Sequence, residues 1–317
     1  MTRALPPSTC RRIAEALPAA SIEVNEQPRT LAPEELLQRA RGHDALICTL
    51  ADRIDRALLE ALVPRLRVVA TFAVGYENID TVAAQELGVR VTHTPGVLTD
   101  ATAEVAIALL LACARRVVEG DGRTRAGEFR GWSPLDPLGH GVYGKTVGVV
   151  GAGRIGRRVA ESLRRGFDCE ILVHSPSPQP AWEAELGARF VALDALLEAS
   201  DFVTLHCKLT EQTHHLIDAA ALARMKPSAC LVNTARGPVV DEDALVAALR
   251  SGGIAAAGLD VYEREPLLAE GLADLPNTVL LPHIGSATHE ARAAMGRLCA
   301  ESVIAVLSGR EPPHALV

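Results

Sequence analysis

The chain has 317 residues, 48% of them hydrophobic, with 32 basic against 39 acidic side chains and a net charge of −7. That is enough for two domains with separate cores, and an acidic sequence without a basic stripe argues against a nucleic-acid binder. The longest apolar helical run (105–114) is too short to cross a bilayer, no signal-type core opens the chain, and seven scattered cysteines without CxxC or metal spacing read as reduced thiols of a cytoplasmic protein.

Residues 21–24 are predicted as a short strand and 33–41 as a helix with a proline near its start. Strands at 45–48, 67–71 and 89–92 alternate with helices at 55–62 and 81–87, the latter ended by Gly88. Such alternation implies a parallel sheet with helices on both faces. An apolar helix follows over 101–118, with Asp100 as candidate N-cap. Residues 120–144 are polar, rich in glycine and proline, contain Trp132, and read as an excursion from the fold. A second series then supplies strands at 147–150, 170–173, 202–205, 229–233, 255–259 and 279–281, a doubly wound domain of about six strands. The last helix, 290–307, can pack back on the first domain and make it discontinuous.

The sharpest motif is VGVVGAGRIG, residues 147–156. A buried strand runs into Gly151-x-Gly153-x-x-Gly156, and an amphipathic helix follows. Gly151 allows the tight turn, Gly153 lets backbone approach a pyrophosphate, and Gly156 lets the helix pack closely; the helix N–H groups then point at negative charge. This predicts a dinucleotide site.

In a doubly wound sheet the ligand lies at the carboxyl ends of the strands. After the second strand of the nucleotide domain come His174 and Ser175, where an acid would bind a ribose 2′-OH. Its absence permits a 2′-phosphate, and Arg154 in the glycine loop supplies a positive charge nearby, so NADP is favoured over NAD. His206 and Cys207 follow the next strand; His206 is read as a loop histidine open to backbone contact with the cofactor, not as a catalytic group. Arg236, in 233–237 (NTARG), can hold a carboxylate bidentately. Asp260, Glu263 and Glu265 follow one further strand, and His283 and Ser286 another. An arginine, an acid and a histidine at the ligand edge of one sheet suggest a carboxylate anchor with an acid–base pair. His214 and His215 are adjacent but lack a partner spacing for metal and read as surface or structural; no metal is expected.

These motifs closely resemble the D-isomer-specific 2-hydroxy acid dehydrogenases, from about residue 44 to 313. NTARG is similar to that family's arginine motif, LDVYEREP (259–266) to its glutamate motif, PHIGS (282–286) to its histidine motif, and VGYENID (74–80) to its substrate loop. TPGVLTDATAE (94–104) is most similar to the glyoxylate/hydroxypyruvate reductases. The resemblance implies an α/β fold of two doubly wound parallel-sheet domains: a flavodoxin-like substrate domain from 1–98 and 287–317, and a Rossmann cofactor domain over 99–286. It implies Arg236, Glu265 and His283 as catalytic residues, with Glu263 a rival acid two positions earlier. Substrate binding falls to Val74, Gly75, Arg236, His283 and Ser286. Cofactor binding falls to Thr102, Gly151, Gly153, Arg154, Ile155, Gly156, His174, Ser175, His206, Cys207, Thr213, Thr234, Ala235, Arg236, Asp260, His283 and Gly285. The implied activity is NAD(P)H-dependent reduction of a small 2-keto acid to the D-2-hydroxy acid, with His283 as proton donor. A homodimer is implied too, with Trp132 near the partner's active site. Other members of the family, acting on phosphoglycerate or phosphite, and a non-catalytic NAD-sensing corepressor share the framework. No membrane or nucleic-acid partner is expected.

Overall fold

The computed structural model describes all 317 residues. Its elements run α1 (Pro7–Ala16), α2 (Pro33–Ala40), β1 (Ala45–Cys48), α3 (Arg56–Leu62), β2 (Val68–Thr71), α4 (Thr81–Glu86), β3 (Arg90–Thr92), α5 (Thr99–Arg115), α6 (Val117–Arg125), β4 (Thr146–Val150), α7 (Arg154–Phe167) and β5 (Glu170–His174). They continue as α8 (Pro180–Leu186), β6 (Arg189–Phe190), α9 (Leu193–Ala199), β7 (Phe202–Leu205), α10 (Ala219–Arg224), β8 (Cys230–Asn233), α11 (Glu242–Ser251), β9 (Ala256–Leu259), β10 (Thr278–Leu280) and α12 (His289–Leu307). Two compact units result, Met1–Leu98 with Ser286–Val317, and Thr99–Gly285. No helix is long and apolar enough to cross a membrane.

In the first unit β1, β2 and β3 form a parallel sheet in that order. Successive strand residues face opposite sides. Leu46, Cys48, Val69 and Val91 therefore share one core with Leu36 of α2, Leu59 of α3 and Ala83 of α4. The other face takes α12, whose Cys299 thiol donates to the Thr71 carbonyl (3.6 Å), and α1 lies along α12. Asp55 and Asp80 cap α3 and α4, accepting from Leu58 N–H (3.0 Å) and Ala83 N–H (2.8 Å). The strand expected at 21–24 is not formed. Met1 and Thr2 stand between this stretch and β1: Thr2 N–H donates to Ile47 and Asn25 N–H to Met1, each at 3.0 Å. The stretch forms no ladder.

The second unit is a seven-stranded parallel sheet of order β10-β9-β8-β7-β4-β5-β6. The chain winds outward from β4 through β5 to β6, then returns to the other side of β4 and continues to β10. The order reverses at β4–β7, and such a reversal opens a ligand crevice at the strands' carboxyl ends. One face buries Val147, Val149, Ile171 and Val173 against α5, α7 and α8. The other buries Val150, Leu172, Val203 and Leu205 against α9, α10 and α11. Every residue of β7, β8 and β9 is buried, as expected of strands covered on both faces.

Three local expectations need correcting. A seventh strand, the two-residue β6, adds to the six predicted. The apolar helix does not run to 118: Arg116 takes a left-handed φ of 53° and splits it into α5 and α6. Asp100 is not an N-cap; it sits in the first turn of α5, where its carboxylate accepts from Arg158 Nε (2.6 Å).

Candidate active site

The glycine turn is built by steric exclusion. Gly151 has φ +106°, and a Cβ there would lie 2.6 Å from the His206 carbonyl carbon and the Cys207 nitrogen. A Cβ on Gly156 would lie 2.3 Å from the Gly151 oxygen. Gly153 differs, since nothing lies within 4 Å of where its Cβ would be. It is the N-cap of α7 and offers no side-chain acceptor. The N–H groups of Arg154, Ile155 and Gly156 thus open α7 beside clear space, where helix polarity favours an anion. This cradle fits a dinucleotide pyrophosphate.

The neighbouring strand ends complete the crevice. Arg154 is exposed and makes no hydrogen bond or ion pair, whereas Arg157 is committed to Glu161 and Glu185. Ser175 accepts from Ser177 N–H (3.4 Å), and His174 bonds the Val191 carbonyl through Nδ1 (3.2 Å). His206 bonds Thr204 through Nε2 (2.9 Å), and its Nδ1 is buried without a partner. Burial pushes its pKa down to about 3, so the ring stays neutral. Burial pushes the Cys207 thiol up to about 11. The Thr213 hydroxyl is taken up locally, donating to Lys208 O (2.6 Å) and accepting from Thr210 N–H (2.8 Å). Thr234 Oγ1 is buried and unpartnered, and Ala235 N–H donates to Asn233 Oδ1 (3.0 Å).

Arg236, Glu265 and His283 follow β8, β9 and β10, which are adjacent. Register aligns Asn233 with Leu259 and Leu259 with Leu280, so three loops leave the sheet from one row. His283 Nδ1 lies 2.9 Å from Glu265 Oε2. Tyr262 ties both loops, its N–H donating to Glu265 Oε1 (3.1 Å) and its hydroxyl to Leu281 O (2.9 Å). Burial pushes the Glu265 carboxyl up, but the His283 bond and charge, the Tyr262 N–H and the Arg236 charge outweigh it and hold it below the usual range. A depressed carboxylate favours its paired form above the ordinary carboxylate range and loses it as pH falls through the lowered value. Glu265 is therefore ionised at neutral pH and available as an acceptor for the His283 ring.

Asp260 is 1% exposed. Burial raises its pKa, opposed by the N–H groups of Ile284 and Gly285, which donate to its two oxygens at 2.7 Å each. Those amides follow His283, which holds a left-handed φ of 54°. Asp260 thus fixes the backbone that presents the imidazole. Thr102 packs beside Gly285, 3.3 Å from where a Cβ would be. The Tyr262 and Asp260 bonds escape a sequence reading, because no spacing rule reports which amide a carboxylate accepts. Val74, Gly75 and Ser286 belong to the first unit, where the Val74 carbonyl bonds His93 Nδ1 (2.9 Å).

A sheet whose carboxyl edge carries both a dinucleotide turn and an imidazole hydrogen-bonded to a carboxylate is the arrangement of a nicotinamide-dependent oxidoreductase. The family model described as "D-isomer specific 2-hydroxyacid dehydrogenase, NAD binding domain" matches residues 107–285. A glyoxylate reductase of Thermococcus litoralis is 49% identical over 297 residues, covering 92% of this chain and 89% of that protein. A solved Thermus thermophilus protein superposes with TM-score 0.94 at 44% identity, covering 100% of this chain and 98% of the other. The Sinorhizobium meliloti NADPH-dependent glyoxylate/hydroxypyruvate reductase, solved with NADP and malonate, gives TM-score 0.83 at 34% identity over 99% of this chain and 95% of its own. The chain belongs to the D-isomer specific 2-hydroxyacid dehydrogenase family. It is a 2-hydroxyacid dehydrogenase with a nicotinamide dinucleotide cofactor.

Proposed function

We propose that the chain reduces a small 2-keto acid of the glyoxylate/hydroxypyruvate type, preferring NADPH, with Arg236, Glu265 and His283 as its catalytic residues. The observation that carries this is the 2.9 Å His283–Glu265 pair on a strand end next to that of Arg236. The guanidinium binds the substrate carboxylate bidentately. The reduced nicotinamide, when bound, supplies the hydride to the keto carbon. As the C=O π bond breaks, charge grows on the oxygen, and His283 gives it the Nε2 proton. Its Nδ1–H stays on Glu265, which favours the charged ring beforehand and fixes the tautomer afterwards. Val74, Gly75 and Ser286 join the substrate set on sequence grounds. Asp260, Thr102, Gly285 and the glycine loop, with the other residues expected there, join the cofactor set. Unpaired Arg154, with no acid near Ser175, favours the 2′-phosphate of NADP. Seven free cysteines accord with a cytoplasmic setting.

The test is a panel of glyoxylate, hydroxypyruvate, pyruvate and a bulky aryl keto acid, each with NADPH and NADH. The two small substrates should turn over best, hydroxypyruvate giving D-glycerate, with a lower KM for NADPH than for NADH. No turnover of any keto acid sinks the activity; a strong NADH preference sinks the cofactor assignment alone.

Residues 117–138 leave Val117, Val118, Phe129, Trp132, Leu135 and Leu138 exposed, Trp132 at 86%. So many exposed apolar side chains in one segment suit burial against another surface. A second copy covers them, as the family resemblance implies, with Trp132 directed at the partner's active site. Sedimentation at low concentration should give twice the 33.6 kDa chain mass; a single-chain species would reject the dimer.

A further inference from the structure

We infer that His215, Glu263 and Glu242 form a positioning strut that sets the spacing between Arg236 and the Glu265–His283 pair, an inference that rests on the catalytic reading above. The two pieces of backbone concerned touch but share no ladder. The Arg236 loop passes through Gly237, whose missing side chain lets it lie directly on the backbone of Tyr262 and Glu263. Contact alone leaves such loops free to slide.

His215 is bonded to both. Its backbone N–H donates to the Pro238 carbonyl (2.8 Å), two residues beyond Arg236. Its ring Nε2 lies 3.1 Å from Glu263 Oε1, two residues before Glu265. One residue therefore spans the two loops. It does so with a left-handed φ of 49°, a conformation uncommon for a side chain of this size that persists only where surroundings impose it. His214 stacks on it, ring centroids 4.1 Å apart.

Glu263 and Glu242 lock the far side. Glu263 N–H donates to Glu242 Oε1 (2.8 Å), and Glu242 N–H to Glu263 Oε2 (3.4 Å). Each carboxylate thus takes the amide next to the other's side chain. Glu242 is the first residue of α11, so its N–H is a helix-end donor that an anion satisfies. Glu242 is only 4% exposed. Burial and the Glu263 charge push its carboxyl up, against N–H bonds from Glu263 and Ala269. At so closed a place the His215 ring gives the Glu263 carboxylate a hydrogen-bond partner. The chain thus puts two acids, two residues apart, to different uses: Glu265 turns to the imidazole of His283, Glu263 to the strut.

The test uses H215N, E263Q and E265Q. Asparagine tolerates the left-handed backbone but cannot reach Glu263, so H215N removes the strut and spares the turn. H215N and E263Q should each lower kcat for glyoxylate about ten- to hundredfold, as small misplacements of reacting groups do. Both should leave the NADPH KM within about twofold and keep the parent's pH profile. The double variant should be no worse than the poorer single one, because both act through one contact. Lowered melting temperature with parent kcat would overturn the strut and leave a purely structural cluster. A pH profile of E263Q displaced like that of E265Q would overturn it too, making Glu263 the imidazole's partner. If E265Q matches the parent in rate and pH profile, the catalytic reading fails, and the strut with it.

Discussion

Replacing His283 by alanine should lower kcat about 10²–10⁴-fold, the usual contribution of a positioned general acid. The loss belongs to the chemical step. The glycine turn proposed to hold the pyrophosphate is formed by Gly151, Gly156 and the start of α7, none of which leans on the imidazole. NADPH binding, followed by fluorescence titration, should therefore weaken by no more than about threefold. Stability should hardly change, since the His283 side chain is 36% exposed and the carboxylate it pairs with, Glu265, is comparably open. Glu265→Gln gives the complementary result. Without the carboxylate that accepts from Nδ1, the ring loses the partner that orients it, and kcat should fall with a changed pH profile. His283→Ala that keeps parent kcat on glyoxylate would remove the imidazole from the mechanism and leave Arg236 and the cofactor to account for the rate.

Much of this arrangement was legible because parallel strands buried on both faces read as unbroken apolar runs. The runs at 202–205 and 170–173 fall within a residue of β7 and β5. The residues proposed as functional, Arg236, Glu265 and His283, follow β8, β9 and β10, just past the sheet's carboxyl edge. Other features were set by contacts that leave no periodic trace. The two residues of β6 are too few for any period. Residues 21–24 have strand-like composition, but their neighbour is the start of the chain, not a full strand. Arg116 breaks the apolar helix by taking a left-handed conformation that its residue type does not announce. The same holds at His283, whose place in PHIGS is plain in sequence while its φ of 54° and the Asp260 bonds that maintain it are not. Glu263 and Glu265 show the limit best. Both are acids on one short loop, and only side-chain direction separates the one at His283 from the one at His215.

Gly237→Ala should be the most damaging small substitution outside the proposed catalytic residues. A Cβ there would lie 1.8 Å from the Tyr262 carbonyl carbon, 1.9 Å from its oxygen and 2.3 Å from the Glu263 nitrogen. All three are backbone atoms, so no side chain can rotate aside. The obstacle is space, and relief requires the Arg236 loop and the 262–263 segment to part. Overpacking of this kind costs about 1–3 kcal/mol or more, which a thermal melt will register. The functional cost should be larger. Tyr262 is the residue displaced, and it supplies an N–H to Glu265 (3.1 Å) and a hydroxyl to the Leu281 carbonyl beside the His283 loop (2.9 Å). One methyl group therefore shifts the guanidinium away from the imidazole and loosens the imidazole's own support. With reacting groups moved by about an ångström, kcat/KM for glyoxylate should fall about a hundredfold or more. NADPH affinity should fall less, because the glycine turn lies at β4, two strands away from β8 across β7. A G237A enzyme that works within about threefold of the parent would show that these two loops need not touch for hydride transfer to proceed.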